Sequence, residues 1–195
     1  MKRKVGIDMN SFLSDEEMRE IGFSSVGSNV LISRKASIYG ADCIRIGSNV
    51  RIDDFCILSG NISIGNHIHI AAYSALFGGS AGITLDDFSN ISSRVCIYAL
   101  SDDFSGTSMT NPMIPDEYKN IQNEPVYIGR HVVIGSGSTV LPGVKILDGS
   151  AVGAMSLCKS SIDGWEICAG IPARTIKERQ KRVLELEKEY EKGGK

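Results

Sequence analysis

One aliphatic residue in every six runs through most of the chain, and this repeat restricts the possible folds more than any other feature. Two unbroken runs carry it, one from Ile46 to Leu76 and one from Ile128 to Val152. A period of six matches neither the 3.6-residue turn of an α-helix nor the two-residue alternation of a strand. We therefore predict that each hexapeptide forms one short strand and a corner, with its aliphatic side chain directed inward. Three such units close a triangular coil, and stacked coils form a parallel β-helix.

Composition and charge exclude several classes of function. The 21 Lys and Arg residues against 23 Asp and Glu give a net charge of −2, too weak a field to attract nucleic acid. No stretch approaches the roughly 20 apolar residues of a membrane span, and the basic N-terminus lacks the apolar segment of a signal peptide. We therefore expect a cytoplasmic protein without membrane contact. The five cysteines form no Cys-x-x-Cys pair, which favours reduced thiols over disulfides or structural zinc.

The segments on either side of the repeat each predict a short helix. Residues 1–25 contain a capping box that begins at Ser14, and Gly22 can end the helix that follows, which should cap the first coil. Residues 174–195 contain a charged helix over positions 176–192, whose apolar stripe should pack on a neighbouring coil or subunit. The coils themselves are expected to occupy residues 26–173.

The repeat breaks for a long segment, residues 99–125, that has no period of its own. It is rich in Ser, Asp, Asn and Pro, and it contains the aromatic residues Phe104 and Tyr118. Loops of this length within a compact domain usually carry function or are disordered. The aromatic residues and prolines favour an ordered arm.

The C-terminal half of the repeat resembles the hexapeptide-repeat acyltransferases, in particular the galactoside, maltose and xenobiotic O-acetyltransferase branch. The motifs that carry the resemblance are IGRHVVIGSGS (128–138), LPGV (141–144), VGAMS (152–156) and AGIPAR (169–174). The resemblance implies a left-handed β-helix, although the general rule for parallel crossovers is right-handed. It also implies acetyl-CoA as donor, and a homotrimer in which the arm reaches over a neighbouring subunit to close the active site.

In that branch the pantetheine chain of acetyl-CoA lies in a groove between two coil stacks. Position by position, Ser136, Ala154 and Arg174 match contact positions of the family, and Lys159 lies one place before its expected position. Arg174 and Lys177 can supply positive charge for the phosphate groups. The resemblance for the first four residues, together with the charge of Lys177, predicts that these five residues bind the cofactor.

Acyl transfer to a hydroxyl requires a group that accepts the hydroxyl proton, and histidine suits this task at neutral pH. The O-acetyltransferase branch has a catalytic histidine at the root of the arm, where this chain has Asp102. The repeat places His67, His69 and His131 at outward positions. His69 matches a corner histidine of the sugar N-acetyltransferases in the same superfamily, although their principal base falls where this chain has Gly60. We predict that His69 is the base, oriented by Asp102 of a neighbouring subunit.

These features predict an acetyl-CoA-dependent sugar O-acetyltransferase, acting on a carbohydrate or nucleotide sugar in surface polysaccharide biosynthesis. Two alternatives stay open. An amino-sugar N-acetyltransferase would need less help from a base, in keeping with the missing arm histidine. A structural or binding β-helix would have lost catalysis together with that histidine. A γ-type carbonic anhydrase has the same fold but needs three histidines at a zinc ion, and the spacing here does not match. We therefore predict no metal site.

Overall fold

Short strands alternate with tight corners along most of the chain, as the six-residue period predicts. The computed structural model describes residues 11–193. The strands pair in parallel from one coil to the next and enclose a triangular interior with three faces. The architecture is the predicted left-handed parallel β-helix, with one helix before it and one after it.

Face 1 is a separate eight-stranded sheet. Its strands are β2 (Val30–Ile32), β5 (Val50–Ile52), β7 (His69–Ile70), β9 (Asn90–Ile91), β14 (Val133–Ile134), β17 (Ala151–Val152), β19 (Glu166–Gly170) and β20 (Ala173–Glu178). All neighbours are parallel except β19 and β20, which are antiparallel.

Faces 2 and 3 belong to one ten-stranded sheet, because two long strands bend across the corner between them. Those strands are β6 (Ile57–Ile64) and β8 (Ala75–Leu85). Face 2 also contains β3 (Ser37–Tyr39), β10 (Cys96–Tyr98), β15 (Thr139–Val140) and β18 (Leu157–Cys158). Face 3 also contains β1 (Ser25–Val26), β4 (Ile44–Ile46), β13 (Val126–Ile128) and β16 (Lys145–Ile146). At the bend, a Cβ on Gly60 would lie 2.8 Å from the Gly79 nitrogen, so the two strands approach too closely there for a side chain.

The interior is filled by the aliphatic residues of the repeat. Ile52, Leu58, Ile70, Leu76 and Ile134 have no exposed surface. Buried serines line the same interior, and four of them donate a hydroxyl hydrogen bond to a backbone carbonyl at a distance of 2.6–3.0 Å: Ser74, Ser138, Ser150 and Ser156. The core therefore satisfies these polar groups with backbone acceptors.

The corner between faces 3 and 1, here called corner 1, carries a stack of side chains whose backbone lies in the left-handed region. Asn29, Asn49, His67, Phe88 and His131 occupy it with φ of 54–60°. Left-handed backbone costs a non-glycine residue roughly 1–2 kcal/mol. Ring contacts along the stack offset part of this cost, because the His67 and Phe88 rings lie 4.6 Å apart and the Phe88 and His131 rings 5.1 Å apart.

The N-terminal helix α1 (Asp15–Ile21) begins at the capping box and ends at Gly22. The Glu17 amide donates to Ser14 Oγ at 3.2 Å, and the Ser14 amide donates to Glu17 Oε2 at 2.7 Å. Its buried residue Met18 joins the core of the coils. The remaining part of the predicted cap, residues 1–10, lies outside the described residues.

The C-terminal helix is shorter than the sequence predicts. The prediction of a helix over 176–192 is wrong for its first part, because β20 pairs with the edge of the last coil and satisfies backbone groups that would otherwise be unpaired. Helix α2 (Val183–Gly193) follows and lies against corner 1 of its own chain, where its Tyr190 ring is 5.5 Å from the His67 ring.

Helix α2 also changes the surroundings of one histidine, His131. His131 points outward from the coil, as the repeat predicts, but the expectation that it is exposed is wrong, because α2 covers it and leaves only 6% of it exposed. Its Nε2 atom lies 2.6 Å from Glu187 Oε2. His131 is therefore held in a contact between the coils and the helix.

Candidate active site

The arm of residues 99–125 leaves the coils between faces 2 and 3 and is tied down at both of its ends. Its first strand β11 (Leu100–Ser101) pairs antiparallel with its last strand β12 (Gln122–Asn123). The Glu124 amide donates to the Ala99 carbonyl at 2.9 Å, and Asn123 Oδ1 accepts from the Ala81 amide at 3.2 Å. The arm is therefore an ordered loop on a paired root.

Two adjoining cavities lie between the arm and face 2. The first has a volume of about 690 Å³, and its floor is the stacked pair of Phe77 and Tyr98, whose ring centroids are 5.2 Å apart. Arm residues that include Phe104 and Ile121 also line it, so most of its walls are apolar. Burial raises the pKa of the Tyr98 phenol. Ligand sites in proteins commonly have this size and this mixture of apolar walls with few polar groups.

The second cavity, of about 840 Å³, brings together two residues that the sequence predicts for different roles. Asp102 and Lys159 both line it, and Asp102 also lines the first cavity. Asp102 follows directly after β11, while Lys159 follows directly after β18 on face 2. A carboxylate thus lies where the two cavities meet, and an ammonium group lies in the second.

Three of the predicted cofactor residues lie along another edge, the corner between faces 1 and 2, here called corner 2. Ser136 and Ala154 follow each other in consecutive coils, where the Met155 amide donates to the Ser136 carbonyl at 2.9 Å. Arg174 is on β20 and pairs with Ala169 at the same edge. Lys177 pairs with Ile167, several residues away along β20. At the end of corner 2 nearest β20, small side chains therefore lie beside the Arg174 guanidinium, and Lys177 lies apart from them.

His69 lies on face 1 and contacts a carboxylate that the sequence analysis overlooks. Its Nε2 atom lies 2.8 Å from Asp53 Oδ2, and Arg51 Nε donates to Asp53 Oδ1 at 2.7 Å. The register could have revealed this pair, because Arg51 lies beside His69 and Asp53 follows two residues later on the same outward side. Within the chain, Asp53 thus takes the orienting position that we predict for Asp102. His69 lies on face 1 and Asp102 lies in the arm beside face 2, so contact between them across subunits stays a prediction.

A second ionic cluster lies at corner 1. Glu187 of α2 contacts both Arg130 and His131, and Arg130 also donates to Asp87 Oδ2 at 3.0 Å. The hydrogen bond from Arg130, with that from His131, holds the pKa of the Glu187 carboxyl below its ordinary value. These contacts join α2 to the coils at corner 1. Among residues 11–193, no group of three or more His, Cys, Asp or Glu side chains could hold a metal ion.

Known proteins resemble this chain over almost its whole length, although no family model matches it. It is 50% identical over 180 residues to the dTDP-4-amino-4,6-dideoxy-D-glucose acyltransferase of Escherichia coli, which covers 91% of this chain and 93% of that protein. It is 30% identical over 155 residues to WbbJ of Escherichia coli K12, whose assignment as a lipopolysaccharide biosynthesis O-acetyl transferase is provisional; the match covers 75% and 74% of the two chains.

A solved structure has the same fold along the same length. This is AntD, an N-acyltransferase from Bacillus cereus in complex with dTDP and 3-hydroxybutyryl-CoA, with a TM-score of 0.92 and 55% identity. The superposition covers 94% of this chain and 97% of AntD.

The coils, the arm and these relatives together define an acyltransferase of the left-handed β-helix type. The chain belongs to the hexapeptide-repeat acyltransferase superfamily. Within residues 11–193, no helix has the length and apolar character needed to cross a membrane.

Proposed function

We propose that the protein transfers an acyl group from acetyl-CoA or a related acyl-CoA to the amino group of a nucleotide-linked amino sugar. The observation that carries the proposal is 50% identity, over 91% of the chain, to an acyltransferase of dTDP-4-amino-4,6-dideoxy-D-glucose. The AntD structures, which hold coenzyme A together with dTDP or with that amino sugar, support the same donor and acceptor. Of the two acceptor chemistries that the sequence leaves open, these relatives favour the amine over the hydroxyl.

The chemistry of this transfer fits an arm without a histidine. The neutral amine attacks the thioester carbonyl carbon, a C–N bond forms, the C–S bond breaks, and coenzyme A leaves as a thiolate. The amine gives up one proton and the thiolate gains one. An amine is a better nucleophile than a hydroxyl once it is neutral, so a carboxylate that accepts a hydrogen bond and a proton from it is sufficient help.

Asp102 is the residue that we assign to this task. It lies where the two cavities meet, so an acceptor bound in either cavity would reach it. His69 joins the same site only when face 1 of a neighbouring subunit lies against the arm, as the homotrimer that we propose requires. In that arrangement Asp53 orients the His69 imidazole, and Asp102 faces the acceptor.

The cofactor would bind where small residues and cations meet. Ser136 and Ala154 leave room for the thin pantetheine chain at corner 2, and Arg174 beside them can bind a phosphate group through its planar donors. The positively charged Lys159 in the second cavity would attract an anionic group of a ligand. Lys177 supplies a more distant charge on β20.

A pair of matched acceptors tests the proposed function. Release of the coenzyme A thiol is measured with dTDP-4-amino-4,6-dideoxyglucose and with the same nucleotide sugar carrying a hydroxyl at carbon 4. We expect release with the amine, and a product whose mass increases by one acyl group. Turnover of the hydroxyl compound alone would support sugar O-acetylation instead, and no turnover of either would support a non-catalytic binding protein.

A further inference from the structure

The turn that follows Asp102 is organised around the carboxylate of its neighbour, Asp103. Asp103 Oδ1 accepts a hydrogen bond from the Ser105 amide at 2.8 Å. Its Oδ2 atom accepts three hydroxyl hydrogen bonds, from Ser105 at 2.9 Å, Thr107 at 3.0 Å and Ser108 at 2.7 Å. One side chain therefore holds residues 103–108 in a single conformation.

The other side of Asp102 is fixed by the paired root of the arm. Ser101 is the last residue of β11, and it pairs with Gln122 of β12. Asp102 is therefore the single residue between two restraints, the strand pair before it and the carboxylate-centred turn after it. Its backbone has little freedom, which limits the directions that its side chain can take from the walls of the cavities.

The two adjacent aspartates have different surroundings. Asp102 lines both cavities, whereas Asp103 directs its carboxylate into its own turn and lines the second cavity only. We propose that Asp103 is a positioning residue, which acts through Asp102 by holding the carboxylate of Asp102 toward the acceptor. The proposal rests on the role of Asp102 in the proposed function. The Ser105 amide and the surrounding hydroxyls hold the pKa of the Asp103 carboxyl well below its usual range, so it accepts these bonds throughout the pH range of an assay.

A double-mutant cycle separates this role from general support of the arm. Asp103→Asn removes acceptor capacity for the hydroxyls and should lower kcat by roughly 10- to 100-fold, the effect of a misplaced catalytic group. The KM for acyl-CoA should stay within about twofold. In the background of Asp102→Asn, the same change should alter kcat by less than about twofold, because the residue through which it acts is already disabled. An equal loss in both backgrounds would overturn the proposal.

Glu117→Gln is the matched control, because it removes an exposed carboxylate from the same arm and lines neither cavity. It should leave kcat unchanged. Hydrogen exchange gives a second readout that does not depend on activity: amides 104–108 should exchange faster in Asp103→Asn and at the normal rate in Glu117→Gln, with equal thermal midpoints. Unchanged exchange in Asp103→Asn would contradict the organising role.

The cycle can be measured with whichever acceptor the wild-type enzyme uses. A preference for a hydroxyl acceptor would overturn the proposed function. The coupling between Asp102 and Asp103 would then be tested by the same double-mutant cycle with the hydroxyl acceptor. Additive losses with the amine acceptor would overturn the coupling and leave the proposed function in place.

Discussion

The candidate carboxylates differ in whether other side chains of the protein already bind them. Asp53 is shared between Arg51 and His69, and Glu187 is shared between Arg130 and His131. Asp102 instead lies at the wall of two cavities, where a ligand can provide its partner. At the scale of single residues, the arm carboxylate is therefore the group best placed to contact an acceptor.

Asp102→Asn should lower kcat by roughly 10²- to 10⁴-fold, because it removes the group that accepts the acceptor proton. Acyl-CoA affinity should be unchanged, and it can be measured by calorimetry. Since the neutral fraction of an amine increases with pH, part of the lost rate should return as the pH of the assay is raised. Wild-type turnover in Asp102→Asn at neutral pH would remove Asp102 from the reaction.

Arg174→Ala should raise the KM for acyl-CoA by roughly 10-fold or more, the usual cost of a lost charge-assisted hydrogen bond to phosphate. The KM for the nucleotide sugar should change little. Arg45→Ala, on the exposed side of β4, removes the same charge from face 3 and should change neither constant. Equal effects of the two substitutions would indicate that only overall charge matters.

Residue-scale prediction from sequence succeeded where the repeat fixes direction and failed where another element covers the surface. The phase of the repeat correctly places His69 on the outside of a strand, where its side chain is 41% exposed. The phase also places His131 on the outside of the coil, but α2 buries it there. The phase of the repeat gives the direction of a side chain from its coil and does not indicate which other element packs on it. Asp53 was overlooked although it lies one coil away, since its contact with His69 depends on strand register.

At the scale of elements, α2 is joined to the coils by ion pairs as well as by rings. Glu187 is only 11% exposed in its contacts with Arg130 and His131. Arg179, just before the helix, donates to the His131 and Gly149 carbonyls at 2.7 and 2.9 Å. These bonds hold α2 and the segment before it against corner 1. The sequence predicts that the helix begins at Ile176, but residues 176–178 belong to β20.

Glu187→Gln should lower the free energy of unfolding by about 1–3 kcal/mol, because it leaves Arg130 and His131 without their shared carboxylate. The pKa of Glu187 is lowered in the folded protein, so its contribution is present above the unfolded carboxyl pKa and is lost as pH falls through the folded value. The difference from wild type should thus disappear in acid. Denaturant unfolding checks this, with the exposed Glu189→Gln as control. A difference that persists at acid pH would contradict the assigned cause.

At the scale of the whole molecule, the sequence determines the fold more fully than the site. Every sixth residue from Ile128 to Val152 is buried, because each coil repeats the same local packing. The cavities depend instead on how an aperiodic arm folds over face 2, and no spacing in residues 99–125 encodes that path. The aromatic residues of corner 1 were unexpected for a similar reason, since left-handed corners usually favour glycine or asparagine.

The arm also bears on assembly. Phe104 is 92% exposed and Met113 is 88% exposed, so both apolar side chains are available for contact with a neighbouring subunit. We expect a homotrimer in which they contact a neighbouring subunit, with a light-scattering mass of about three times the 21.0 kDa chain. The double change of Phe104→Ser and Met113→Ser should weaken this assembly and the activity together. A fully active monomer would contradict the shared site.

The reversal of strand direction at β20 also determines which strand edge the last coil presents on face 1. A stack of parallel coils presents, at its last coil, strand edges on which another copy could continue the stack into a fibre. On face 1 that edge is occupied by an antiparallel strand that carries Arg174, Lys177 and Glu178, all largely in solvent. A further parallel coil would meet the wrong strand direction and three charged side chains, with the exposed Ile176 between them. On this face, β20 therefore disfavours end-to-end aggregation of the β-helix.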